Sequence, residues 1–180
     1  IGADSMLVRV GALYHDIGKM NNPTNFTENQ VNSINTLNDL EPKESAKIII
    51  GHVIKGIELA RKYKLPERII DFIRTHHGTN LVYFFYKKEM AEQGSAQEQD
   101  FRYPGPKPFS KETAILMMAD SVEAASKSLK EPTSAKINDF VESIVDMHME
   151  QGQFDNANIT FKEIGLIKKV LKKKLTNMYN

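Results

Sequence analysis

Along the chain, apolar residues return every three or four positions almost without interruption, the spacing of amphipathic helices. Met6, Val10, Leu13 and Ile17 form the first stripe, with Asp4 or Ser5 placed to cap it and Gly18 near its end. Thr27 and Gln30 have capping-box spacing for a short helix through Leu37. Pro42 stands where a first helical residue fits, and Ile48, Ile49, His52, Val53, Gly56, Ile57 and Ala60 share one face after it. Pro66 starts the next helix, which carries Ile69, Ile70, Ile73, His76 and His77 and stops at Gly78. A helix from about Leu81 to Gln93 holds the aromatic run Tyr83–Tyr86, read as core rather than as a stacking platform.

Residues 94–109 break the pattern. Gly94, Pro104, Gly105, Pro106 and Pro108 make this an irregular loop and a candidate lid or binding loop. Ser110 then caps a helix to about Leu129, with Thr113, Leu116, Met117, Asp120 and Ala124 in line. Thr133 or Ser134 opens another, through Ile137, Val141, Ile144, Val145 and His148. Thr160 and Glu163 form a capping box for the last helix, which carries Ile164, Ile167, Val170, Leu171 and Leu175. No convincing β alternation or internal repeat appears, which argues against parallel-sheet folds. The expectation is an all-α chain, one domain over residues 1–180, in six to eight helices.

Composition narrows the chemistry. With no cysteine, thiolate metal sites and disulfides are excluded, and any metal must be held by imidazole, carboxylate, carbonyl or water. The formal net charge of +1 provides no global field toward nucleic acid or membrane. Lys168, Lys169 and Lys172–Lys174 are therefore read as a solvated helix face rather than a surface for anionic lipid or nucleic acid. No run approaches the ~20 apolar residues of a membrane span. The opening on Ile1, in the run-in to a helix, reads as a piece of a longer protein.

Four of the five histidines share a peculiar placement. His15 is followed directly by Asp16 near a helix end. His52 sits on an otherwise apolar face, His76 and His77 are adjacent before Gly78, and Asp120 interrupts an apolar stripe. A carboxylate on a buried face is costly unless paired, and a divalent cation would pair it. Each residue also has a structural explanation: His52 as a satisfied core histidine, Asp120 as an interior acceptor, His76–His77 as a C-cap pair favoured by the helix dipole. Taken together they point to a mixed imidazole–carboxylate site for iron, manganese or zinc. Six ligands are too many for one tetrahedral ion and suit two metals that share a carboxylate. His148 follows no such pattern and is assigned to structure or surface.

The order His15-Asp16-Ile17-Gly18-Lys19, then His52, His76-His77-Gly78 and Asp120 resembles the HD superfamily of metal-dependent phosphohydrolases. Longer stretches are similar to the cytoplasmic HD domain of seven-transmembrane proteins of the PgpH type. These are residues 28–30, 51–81, 101–108 and 110–129, and the C-terminal segment from Gly152 to Ile164. The resemblance implies a single HD-domain helical bundle at the cytoplasmic face of the cell membrane, the sensor and membrane helices lying outside this chain. It implies hydrolysis of cyclic di-AMP to linear pApA by a hydroxide activated between two metals, iron or manganese. His15, Asp16 and Asp120 would hold the first metal; Asp16, His52, His76 and His77 would hold the second, with Asp16 bridging. The family set has one more histidine upstream; none lies between Ile1 and Tyr14, which fits a chain that begins after it.

Lys19, one turn past His15, is a candidate phosphate contact and catalytic group beside Asp16. Thr79, Arg102, Tyr103 and Lys111 are further candidates for substrate binding: Thr79 after the histidine pair, Arg102 and Tyr103 for phosphate and base stacking, Lys111 for phosphate. The competing functions are hydrolysis of another nucleotide (cyclic di-GMP, a deoxynucleoside triphosphate or an alarmone) and a non-catalytic nucleotide-sensing domain. No nucleic acid polymer is expected as partner, and membrane attachment only through the missing transmembrane region.

Overall fold

A computed structural model describes residues 1–26, 36–129 and 132–179. It is all-α, as the spacing implies. Seven α-helices occur among the described residues: α1 (Ser5–Tyr14), α2 (Pro42–Lys62), α3 (Glu67–Thr75), α4 (Tyr83–Gln93), α5 (Lys111–Ser126), α6 (Ser134–Glu150) and α7 (Phe161–Tyr179). Short 3-10 segments fill several connections, among them Ile17–Asn21 and Glu98–Phe101. The Thr27–Gln30 capping box and the 28–30 stretch lie outside the described residues. No helix of the described residues is long and apolar enough to cross a membrane.

The chain divides into two compact units, one of residues 10–106 and one of residues 1–9 with 107–180. In the second, α5, α6 and α7 share a core. Met117 and Met118 of α5, Val141 and Val145 of α6 and Ile164 of α7 are buried in it together with Phe154. The caps that start these helices are the ones their sequence announces. Ser110 Oγ accepts the Thr113 N–H in a capping box, Thr133 accepts from Lys136, and the Thr160 and Glu163 N–H groups each donate to the other's side-chain oxygen. Lys168 reaches Glu142 and Asp146, and Lys172 reaches Glu142. Part of the lysine run on α7 is thus tied to α6 rather than merely solvated.

In the unit of residues 10–106, α2 is the central element, with α3, α4 and the Ile17–Asn21 segment packed on it. Ile70 and Ile73 of α3 pack with Ala60 of α2, and Phe85 and Phe101 with Ala46. Two glycines set how closely these elements approach. A Cβ on Gly18 would lie 1.8 Å from the His52 carbonyl oxygen, and one on Gly56 would lie 2.8 Å from Ile73 Cγ2. The 3-10 segment therefore rests on the α2 backbone itself, directly beside His52.

Three sequence expectations are corrected. The first helix ends at Tyr14, not beyond Ile17, so His15 and Asp16 stand in the turn that follows it. Met6 and Leu13 are exposed, although the spacing puts them on a core stripe. Of the aromatic run, only Phe85 is buried; Tyr83 and Phe84 face solvent. Alternation at helical spacing identifies a helix but not which stripe finds a partner.

The loop after α4 is ordered by its backbone. Gly94 caps α4 in the left-handed conformation, at φ 74°. The Val82 N–H then donates to the Phe101 carbonyl (2.7 Å) and the Tyr103 N–H to the Asn80 carbonyl (2.9 Å), around an antiparallel Leu81–Arg102 bridge. Residues 101–103 are stitched to the segment that follows the histidine pair.

Candidate metal centre

Three places in one unit supply the donors. His15 and Asp16 come from the turn after α1, His52 from the middle of α2, His76 and His77 from the end of α3. Each of three rings is oriented by its own local backbone. Nδ1 of His15 lies 2.8 Å from the Ala12 carbonyl, Nδ1 of His52 2.5 Å from that of Ile49, and Nδ1 of His76 2.8 Å from that of Ile73. A carbonyl only accepts, so in each ring Nδ1 carries the hydrogen and Nε2 presents a lone pair.

Those lone pairs converge on Asp16. The Nε2 atoms of His52 and His76 lie 3.2 Å apart, and 3.3 and 3.5 Å from Asp16 Oδ1. His15 Nε2 lies 3.2 Å from the other carboxylate oxygen, Oδ2. One carboxylate thus turns one oxygen to His52 and His76 and the other to His15. With His77, donor atoms of Asp16, His52 and His76 all lie within 4.8 Å of one another.

Adjacent side chains on a regular helix diverge by about 100°. The chain resolves this for His76 and His77 by ending α3 at Thr75. His76 is the C-cap, still in helical conformation, and Gly78 two residues on has φ 50°. The two rings come to 4.0 Å between centroids.

Electrostatics selects what fits among these atoms. His52 and His76 are 2% and 0% exposed. Two imidazole lone pairs and a carboxylate oxygen in close contact repel unless a cation stands among them. Burial holds the pKa of His76 down, only partly countered by Asp16, and burial with the neighbouring rings pushes that of His77 well below the ordinary value. Protonation is thus opposed. Burial alone would raise the Asp16 pKa, but the imidazoles of His15, His52 and His76 grouped around the carboxylate override this and keep it below the carboxylate range. Neutral imidazoles around an ionised carboxylate are the donor set of a divalent transition metal.

Lys19 is brought to the same place, its Nζ 2.7 Å from Asp16 Oδ2 and over the Phe26 ring. Phe26 packs edge-on against His52 at 5.6 Å, a contact with no signal in the sequence, because it stands alone in a polar Pro-Asn stretch. The Arg102 guanidinium is committed inside the loop, to Glu98 Oε2 (2.8 Å) and the Thr79 carbonyl (3.0 Å). Tyr103 is buried against His77. Asp120 and Lys111 belong to α5 of the other unit. Asp120 is half-buried there, and Lys111 pairs with Glu163 at 2.5 Å.

An all-helical frame holding a His-Asp turn against a histidine pair is the arrangement of HD proteins, and the HD domain model matches residues 1–125. The chain belongs to the HD domain family. Over 171 residues, 95% of its length, it is 45% identical to the cyclic-di-AMP phosphodiesterase PgpH of Bacillus subtilis. Over all 180 residues it is 44% identical to the PgpH of Listeria monocytogenes. It spans about a quarter of the length of these curated relatives, 24% and 25%. Its fold superimposes on the crystal structure of the L. monocytogenes PgpH HD domain with a TM-score of 0.93 at 44% identity, covering 99% of this chain and 84% of that one. The same domain in complex with cyclic-di-AMP gives 0.96, with 99% and 83% covered.

Proposed function

We propose that this chain is the catalytic HD domain of a phosphodiesterase that hydrolyses cyclic di-AMP to linear pApA. The observation that carries the reading is the Asp16 carboxylate, which turns one oxygen to His52 and His76 and the other to His15. The named activity of relatives 44–45% identical over nearly the whole chain supplies the substrate. The complex of a 44% identical HD domain with cyclic-di-AMP supports the same choice.

Two divalent ions, iron or manganese, fit the donors. Asp16, His52, His76 and His77 would hold one; His15 and Asp16 would hold the other, with Asp120 assigned to it on the order of residues in the sequence. Bound there, such ions supply Lewis-acid charge and make a shared water acidic near neutrality. The protein's own part is preorganisation. The carbonyls of Ala12, Ile49 and Ile73 fix each ring's tautomer, and burial keeps the His76 and His77 rings neutral and available. Lys19, beside Asp16, is placed to meet a phosphate oxygen and offset charge developing on it. Thr79 remains a proposed phosphate contact, and Lys111 would have to leave Glu163 to become one. For Arg102, whose guanidinium is occupied by Glu98 and the Thr79 carbonyl, we favour a role in holding the loop. On the resemblance, the domain works at the cytoplasmic face of the cell membrane.

The test is turnover of cyclic di-AMP and cyclic di-GMP, side by side, by the manganese- or iron-loaded protein. Release of pApA is expected, with cyclic di-GMP the poorer substrate. Asp16→Ala and His76→Ala should each lower the rate by about 100-fold or more while leaving helicity intact. Near-normal turnover in Asp16→Ala would defeat the bridging assignment, and absence of pApA would defeat the substrate.

A further inference from the structure

We propose that Tyr103 is a positioning residue that holds the His77 imidazole in its ligand orientation by stacking on it; this rests on the metal reading above. Three rings of the centre have the same tether, an Nδ1–H donated to the carbonyl three residues earlier. Among the described residues, the His77 ring makes no such hydrogen bond. The helix has already ended at Thr75, so the local backbone that orients His76 does not orient its neighbour. His77 lies instead between two rings, His76 at 4.0 Å and Tyr103 at 4.2 Å, with Tyr103 inclined by only 25°.

Stacking can orient a ring only if the stacking partner is itself fixed, and Tyr103 is. Its N–H is bonded to the Asn80 carbonyl, and the residue before it bridges to Leu81. Arg102 clips the same segment to Thr79. Tyr103 is 8% exposed, so its ring face is spent on the imidazole rather than open to a nucleobase. The loop after α4 therefore reaches the metal centre by completing a slab of three aromatic rings. An aromatic face also leaves both imidazole nitrogens uncommitted, which a hydrogen-bonding tether would not.

Manganese alone, titrated into chelator-stripped protein by calorimetry, tests the assignment. The wild type is expected to take two equivalents. Tyr103→Leu, which keeps apolar bulk without an aromatic face, should weaken one equivalent by roughly 10- to 100-fold and leave the other unchanged. Tyr103→Phe should bind as the wild type within about twofold, because the stack needs the ring and not the hydroxyl. Phe101→Leu, in the same segment but packed against α2 and α4, controls for a general loosening of the loop. Equal loss of the metal in Phe101→Leu, or loss in Tyr103→Phe, overturns the proposal. If Tyr103→Leu does not fold, nuclear magnetic resonance of the wild type still decides. His77 ring protons should be shifted upfield by the tyrosine face, and unshifted resonances overturn the stack. A wild type that binds no manganese would sink the metal reading instead, a separate result from the fate of the ring contact.

Discussion

His148 shows how a single residue can carry a pH dependence unrelated to catalysis. It is 1% exposed, and neither ring nitrogen has a hydrogen-bond partner among the described residues. Burial pushes its pKa down to about 4, with Asp120 opposing the shift. The unfolded chain takes up a proton near the ordinary value of about 6.5, whereas the folded protein refuses it until about 4. Stability is therefore lost as pH falls through that window, by about 2 kcal/mol at pH 5. His148→Leu should be no less stable than the wild type at pH 7, because it removes two unsatisfied polar atoms from the interior. Urea denaturation at pH 7 and pH 5 should show a loss in the variant smaller by about that amount; an unchanged loss would refute the assignment. The residues that the fold gathers around Asp16 were legible in the sequence as candidates because their types are costly on apolar faces unless something pairs them. The burial of His148 was not, since a histidine that continues an apolar stripe looks the same whether it ends in the core or at its rim. Phe26 and the stacking partner of His77 depend on tertiary placement and left no local trace.

At the scale of elements, the contact between the 3-10 segment Ile17–Asn21 and α2 is made backbone to backbone at Gly18. Gly18→Ala would force a methyl group onto the His52 carbonyl, with Gly56 N 2.6 Å away, so the clash cannot be relieved by a rotamer change. We expect destabilisation near the upper end of the about 1–3 kcal/mol typical of overpacking, with weaker metal binding, because the segment displaced begins directly after Asp16, its N-cap. Thermal denaturation and metal uptake of the variant measure both effects. Ser110→Ala, which removes the cap of α5, should cost about 1 kcal/mol and leave metal uptake by the histidine cluster unchanged. Capping residues and proline positions gave most helix starts directly, because they act within four residues of themselves. Leu13 and Met6 were misread for the opposite reason: whether an apolar stripe is covered is decided by elements distant in sequence. The loop after α4 read as irregular, and its backbone pairing with residues 80–82 could not be seen, since two isolated hydrogen bonds need no alternating pattern.

For the whole molecule, metal and stability are linked. Anything that binds the folded centre and not the unfolded chain stabilises the fold, by about 4 kcal/mol when free metal exceeds its dissociation constant 1,000-fold. For a chain of this size that raises Tm by on the order of 10 °C. Scanning calorimetry with manganese, and again after EDTA, should show the rise and its reversal, and Asp16→Ala should show neither. An unchanged Tm in the wild type would mean that the donors, though assembled, do not hold the ion. The division into two compact units had no signature in the sequence, where helix follows helix with one uniform texture and the segment at Pro106 looks like any proline-rich connection.

The tethering of three imidazoles to carbonyls three positions upstream has a consequence for how such a centre can arise. Each ring's aim is written into a single helical turn and owes nothing to its distant neighbours. A histidine with its ring turned back to the carbonyl three residues earlier, within a helix or just past its end, is therefore aimed locally, and the fold has only to bring the turns within reach. The fourth imidazole, lacking that local instruction, lies against a ring supplied from further along the chain.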